Sequence, residues 1–168
     1  MSKSVKNRDT DIQARVGQAP SKPYVFTEAP MQAFNDLLVP YETYFKSPLA
    51  KLGAIKHGLG SNSISDLLKV TGATQSDIAR WLHITEPTLR KHLQSPHDLN
   101  QGLSEHIIQL FELFDKGMDT FGSPDEFKSW LKHYNPGIDA IPYDLLDSIT
   151  GISIVISQLI RIDYGVLA

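Results

Sequence analysis

Six histidines, His57, His83, His92, His97, His106 and His133, are the side chains of this sequence best suited to metal or acid–base chemistry, and their spacing supports neither. No two of them flank a glutamate as a zinc-binding helix would require, and the chain holds no cysteine to complete such a site. Serine, histidine and aspartate are plentiful, but no strained nucleophile turn singles one out. Asp144 and Asp147 read as a solvated acidic face rather than a general acid and base. Gly58 and Gly60 follow no strand and precede no Lys-Ser/Thr pair, so they read as a helix stop and not as a phosphate loop. Trp81 and Trp130 read as core rather than as a ligand cage. The sequence therefore predicts no metal, no cofactor and no catalytic residue, and the chemistry left to it is that of binding surfaces.

Charge divides those surfaces. Residues 46–97 carry seven Lys/Arg against three Asp/Glu, whereas residues 98–168 carry four against eleven. A basic middle followed by an acidic end predicts two different partners, the first a polyanion. The 168 residues, 41% hydrophobic, suffice for one ordinary domain or two small ones. Residues 1–23 are polar, lack the apolar stretch of a secretory signal, and read as a disordered tail. The run 152–162 is interrupted by serine, glutamine and arginine and is too short to span a bilayer. With no cysteine, these features predict a cytoplasmic protein with no membrane contact.

The elements that would position the surfaces follow from helical spacing and stop signals. Residues 24–62 read as an N-terminal helical extension: Met31, Phe34, Leu37 and Leu38 recur at helical spacing before Pro40, and Leu49, Leu52 and Ile55 mark a second inward stripe. Ser63 caps a helix with Ile64, Leu67 and Leu68 inward, ending at Gly72. Thr74 or Ser76 then caps a helix through Ala79, Trp81 and Leu82, His83-Ile84 makes a tight connection, and Thr85 caps a second helix with Pro87 in its first turn. A small residue at Ala79 and apolar residues at Ile84 and Leu89 are what a helix-turn-helix needs to fix its crossing angle, so 63–97 is predicted to be a DNA-binding module. His83 stands where glycine is frequent and tolerates positive φ better than most residues. Gln75, Thr85, Glu86, Thr88, Arg90, Lys91 and Gln94 are the predicted DNA contacts, with Arg90 and Lys91 reaching phosphate or guanine. The competing reading is a helical pair kept as scaffold.

Residues 98–121 are predicted to hold a connecting helix starting at Ser104, with Ile107, Leu110, Phe111, Phe114 and Met118 on one stripe. A homodimer is expected, and its seam would lie here if Ile108 or Phe111 stays uncovered. Beyond it come short helices with explicit punctuation: Ser123-Pro124 opens one that places Phe127, Trp130 and Leu131 on one face, Asn135-Pro136-Gly137 breaks it, Pro142 opens another, and Gly151 punctuates before the apolar run.

The ordered elements FGSPDEFKSWL, NPGIDAIPYDLL and RIDYGV resemble the toxin-binding domain of the Xre/MbcA/ParS family of bacterial antitoxins, and 63–97 looks like an Xre-type DNA-binding fold. The departure is at 138–141, where family members have a glycine-containing turn and this chain has Ile-Asp-Ala-Ile. The resemblance implies an all-α protein with a toxin-binding domain at 122–168, a cognate RES-domain toxin that degrades NAD, and autorepression at operator DNA. It assigns toxin contact to Trp130, Asn135, Pro136, Arg161, Ile162, Tyr164, Gly165, Val166 and Ala168, with Trp130 as support and the last five residues covering the toxin's active site. From the residues alone, Tyr164 and Val166 fit equally a tail that folds back on its own domain. The alternative function is a stand-alone regulator, or a plasmid or chromosome factor, whose C-terminal domain binds a protein that is not a toxin.

Overall fold

The computed structural model describes residues 29–165, with side-chain environments from residue 32 onward. Residues 1–28 and 166–168 lie outside the described residues, and with them the predicted tail and the contacts assigned to Val166 and Ala168. The described chain is all-α. Its helices are α1 (Ala29–Leu38), α2 (Glu42–Lys46), α3 (Pro48–His57), α4 (Asn62–Thr71), α5 (Gln75–Trp81), α6 (Glu86–Gln94), α7 (Gln101–Phe121), α8 (Pro124–Leu131) and α9 (Ile149–Asp163). One 3-10 turn, Val39–Tyr41, joins α1 to α2, and another, Pro142–Leu145, precedes α9. Among the described residues no helix is long and apolar enough to cross a membrane.

The apolar stripe of α7 continues most of the way round the helix, which is why four other helices pack on it. Ile107, Ile108, Leu110, Phe111 and Leu113 are wholly buried, and α3, α4, α8 and α9 all contact this helix. Each such side chain contributes about 1.5–3 kcal/mol by leaving water. Ile108 and Phe111 have no exposed surface, so the seam expected there for a dimer is closed by the chain's own helices. Gly117 allows a close approach: a Cβ at that position would stand 2.4 Å from the Phe127 ring of α8. Phe127 in turn meets Phe114 edge-on at 5.2 Å.

Three starts and stops differ from the sequence reading, two because a serine is buried and one because a glycine lets backbone approach closely. Ser63 lies inside the first turn of α4 and is buried, while the residue at the cap is Ser61. α7 begins three residues before Ser104, capped by Asn100, whose side chain accepts from the Leu103 amide at 2.9 Å. Ser104 is instead buried, accepting from the Leu59 amide and donating to the Asn100 carbonyl, both at 2.9 Å. Gly151 does not punctuate: it sits in the first turn of α9, capped by Ser148, and a Cβ there would stand 2.0 Å from the Leu145 carbonyl oxygen. The extension also turns the other way about. Leu49 and Leu52 are 80% and 47% exposed, because α3 faces α7 with Lys51, Ala54 and Ile55 and pairs Lys51 with Glu112.

Candidate functional site

Two outward surfaces and a seam between them carry the residues of interest. The first is built by α5 and α6. Thr74 caps α5 through a reciprocal box with Asp77, each side chain accepting from the other's backbone amide. After α5 the chain turns at His83, whose φ is +53°, the left-handed conformation expected of the residue in that place. Thr85 caps α6 by accepting from the Thr88 amide at 3.3 Å. Leu89 is fully buried, and the helical 100° step then puts Pro87, Lys91 and Gln94 at the centre of the outward face with Thr88 and Arg90 at its flanks. Gln75, Thr85, Thr88, Arg90, Lys91 and Gln94 are exposed and Glu86 is half-buried. Not all of this face is free. Arg90 donates to Glu86 at 3.1 Å, and the Thr85 and Thr88 hydroxyls lie 2.9 Å apart. Lys46, Lys51, Lys69 and Arg80 also sit beside carboxylates, so the basic character of 46–97 is largely paired within the chain.

The second surface is built by the loop after α8 and by α9. Asn135 is buried, its Oδ1 accepting from the Gly137 amide at 2.8 Å while its backbone bridges to Ala140. That loop closes on Asp139 at φ +51°, a left-handed conformation that favours glycine and that aspartate tolerates better than most residues. Trp130 is half-buried against Phe121 and Phe127, at ring distances of 5.5 and 6.1 Å. Trp130 and Asn135 thus hold the loop's shape, and Pro136 stands exposed on it. On α9, Arg161 is exposed, Ile162 packs partly on the core, and Tyr164 is 82% exposed ahead of Gly165 at φ +67°. The Tyr164 ring therefore does not fold back onto its own domain. Lys116 of α7 pairs with Asp163 and holds its carboxyl below the usual range, which anchors the end of α9 just before Tyr164.

Sequence reasoning missed four large apolar residues of this surface. Tyr134, Ile141, Ile154 and Ile160 are all substantially exposed. Reading 152–162 as one apolar run hid the last two. Once Ile152, Val155 and Leu159 are allotted to the buried stripe, helical spacing leaves Ile154 and Ile160 on the other side. Between them Ser153 and Ser157 turn their hydroxyls back onto the Ile149 and Ser153 carbonyls at 3.0 and 2.8 Å, so the ridge presents methyl and methylene groups rather than free donors.

The seam joins the two. The Tyr143 ring meets Trp81 of α5 edge-on at 4.9 Å and lies between the Arg80 guanidinium at 5.9 Å and the Lys132 ammonium at 5.8 Å. Burial, and then its contact with the Asp77 carboxylate, push the Tyr143 phenol up to about 12. His83 donates from Nε2 to the Asp147 carbonyl at 2.6 Å, and His106 of α7 donates from Nε2 to the Leu146 carbonyl at 2.8 Å. Burial holds the His106 imidazole below its ordinary pKa, against the opposite pull of this bond.

Residues 116–165 match the family model described as the Antitoxin Xre/MbcA/ParS C-terminal toxin-binding domain. Over 135 residues the chain is 25% identical to a protein of Sphingobium sp. (strain YBL2) named Prs ADP-ribosylating antitoxin, a match covering 74% of this chain and 85% of that one. The matched domain begins within α7, and so takes in part of the helix on which α3 and α4 also pack.

Proposed function

We propose that this chain, whose C-terminal region belongs to the Xre/MbcA/ParS antitoxin family, neutralises a cognate RES-domain toxin and represses its own operon. The observation that carries the reading is the exposed ridge of Ile154, Ile160, Arg161 and Tyr164 on the domain matched as toxin-binding. Apolar groups around an arginine and an aromatic are the composition of a binding hot spot, and the loop residues Tyr134, Pro136 and Ile141 add to the apolar area. Trp130, Asn135 and Ile162 support that surface, while Arg161, Tyr164 and Gly165 lead residues 166–168 into the toxin's active-site cleft. The relative's name concerns ADP-ribosylation, a transfer whose ordinary donor is NAD, and this agrees with a toxin that consumes NAD. The chain acts as a binder rather than a catalyst, in the cytoplasm where its target's substrate is.

Operator binding falls to the α6 face. Lys91 and Gln94 at its centre read the groove or its phosphates, with Thr85, Thr88, Arg90, Glu86 and Gln75 around them, and Arg90 exchanges Glu86 for a phosphate on docking. A homodimer spans the two half-sites through a surface other than the buried stripe of α7.

The test is growth and cellular NAD in bacteria expressing the neighbouring reading frame, with this chain intact or truncated after Ile162. NAD loss rescued only by the intact chain supports occlusion by the C-terminal residues. Rescue by both forms keeps the antitoxin and removes that mechanism. NAD that never falls when the neighbour is expressed alone removes the NAD-consuming toxin from the reading.

A further inference from the structure

Resting on the operator reading, we propose that the pocket between the first turn of α4 and the C-terminal end of α6 holds a phosphate of the DNA backbone, and that the His92–His97 pair takes up one proton as that phosphate docks.

The pocket has a volume of about 550 Å³ and is lined by Asn62 and Ser65 of α4, His92 and Gln94 of α6, and His97 and Asp98 of the loop that follows. That loop is stitched to the start of α4: buried Ser61 donates its amide to the His97 carbonyl at 2.8 Å and its hydroxyl to the Ser95 carbonyl at 3.1 Å. The two imidazoles are held in contact, with centroids 4.8 Å apart and His92 Nδ1 2.6 Å from His97 Nε2. A carbonyl only accepts, so His97 donates from Nδ1 to the Ser95 carbonyl at 2.6 Å, and in the neutral ring its Nε2 accepts from His92 Nδ1. His92 Nε2 is then the nitrogen with a lone pair. A proton added there keeps both bonds and makes them charge-assisted, so the cation is shared down the relay to the Ser95 carbonyl. Burial, then His97 and Lys91, hold the His92 imidazole below its ordinary value, so at neutral pH the pair waits for an anion to bring the proton in. Asp98, the carboxylate of the lining, favours that proton, while α4 contributes an uncharged amide and hydroxyl. Position identifies the anion. Gln94 belongs both to this pocket and to the outward face of α6, on which Lys91 also lies. The 9 residues of α6 span about 13 Å against a major groove about 12 Å wide, so a helix whose face lies in the groove brings its C-terminal end to the flanking strand.

The experiment measures the affinity of the full chain for duplex DNA from upstream of its own gene by fluorescence anisotropy, from pH 8 to pH 6 at constant ionic strength. A scrambled duplex, and an arm with inorganic phosphate in place of chloride, run beside it. Proton uptake on docking makes binding tighten as pH falls, by roughly fivefold per protomer over that range. The salt slope measured at pH 6 should exceed that at pH 8 by about 0.9, the contribution of one added cation. The scrambled duplex is expected to bind more weakly with the same pH dependence, since a backbone phosphate carries no sequence. His92→Gln keeps a donor for His97 and has no proton to gain, whereas His92→Lys is charged throughout. Both should lose the pH dependence, the first at the weak end and the second at the tight end. A flat wild-type profile with measurable affinity overturns the phosphate site and leaves operator binding standing, as does a profile unchanged in both variants. Inorganic phosphate that erases the pH dependence while DNA binding persists makes the free anion the ligand and overturns the DNA backbone as occupant. No binding to either duplex at any pH removes the operator reading, and this site with it.

Discussion

The outward faces of α6 and α9 differ in chemistry although both helices bury an apolar stripe. α6 keeps Leu89 inside and shows solvent Lys91, Gln94, Thr88 and Arg90, whereas α9 keeps Ile152, Val155 and Leu159 inside and shows Ile154, Ile160 and Tyr164. Packing asks the same of the two helices, so the difference lies wholly in the residues that packing leaves alone. A charged, amide-bearing face suits a hydrated polyanion, since its groups give up water for phosphate and base edges with little net desolvation. An apolar ridge around one arginine suits a protein cleft, where excluding water from methyl groups is the gain. The two surfaces are also in contact, because the loop leading into α9 reaches back to the turn leading into α6, where His83 bonds the Asp147 carbonyl.

The sharpest way to break the comparison is to remove what both faces share. Gly117→Ala forces a methyl against the Phe127 ring, and is expected to cost about 3 kcal/mol and to lower the melting temperature with loss of both binding functions. Survival of either function at wild-type strength would mean that its helix does not depend on the α7–α8 contact. Next in size, Ile154→Asp and Ile160→Asp are expected to weaken toxin binding by more than about tenfold, since a charge replaces a desolvated anchor. Both positions are exposed, so the melting temperature should hold, and calorimetric titration beside thermal denaturation separates the two effects. On the other face, Lys91→Ala should weaken operator binding and reduce the salt slope by about one, leaving toxin inhibition intact. An unchanged salt slope would take Lys91 off the phosphate backbone.

The smallest effect is expected in the seam that both faces use. His106 is held neutral by burial, so the unfolded chain takes up a proton near the ordinary value of 6.5 that the folded chain resists. Stability should therefore fall as pH drops below that value, and rise with pH through the window beneath it. His106→Gln retains an amide donor for the Leu146 carbonyl and removes the titration, so denaturation midpoints measured from pH 7 to pH 5 should vary less with pH in the variant.

Much of the local structure is legible in the residues. Thr74, Thr85 and Ser123 cap the helices expected of them, and His83 takes the positive φ that its place in the turn requires. These features depend on a few neighbouring residues: a hydroxyl three positions before an unsatisfied amide, or a backbone conformation that a nearby turn demands. The faces of short helices were less legible. Leu49 and Leu52 read as an inward stripe but point outward, because in α3 the alternative side, with Ala54, Ile55 and the stem of Lys51, fits against α7. Ile154 and Ile160 were hidden for the opposite reason, since in a run so rich in isoleucine more apolar residues are present than the core takes up.

By itself, then, the sequence determined the all-α class, the caps at Thr74, Thr85 and Ser123 and the motifs of the C-terminal domain, because each is written in residues within a turn or two of one another. Only the tertiary structure decided that α7 is buried on several sides at once, that Gly117 and Gly151 are points of close approach, and that His83 meets Asp147. Those depend on which surfaces the helices bring together across the fold, and helical periodicity ranks the faces of one helix without saying which neighbour will cover them.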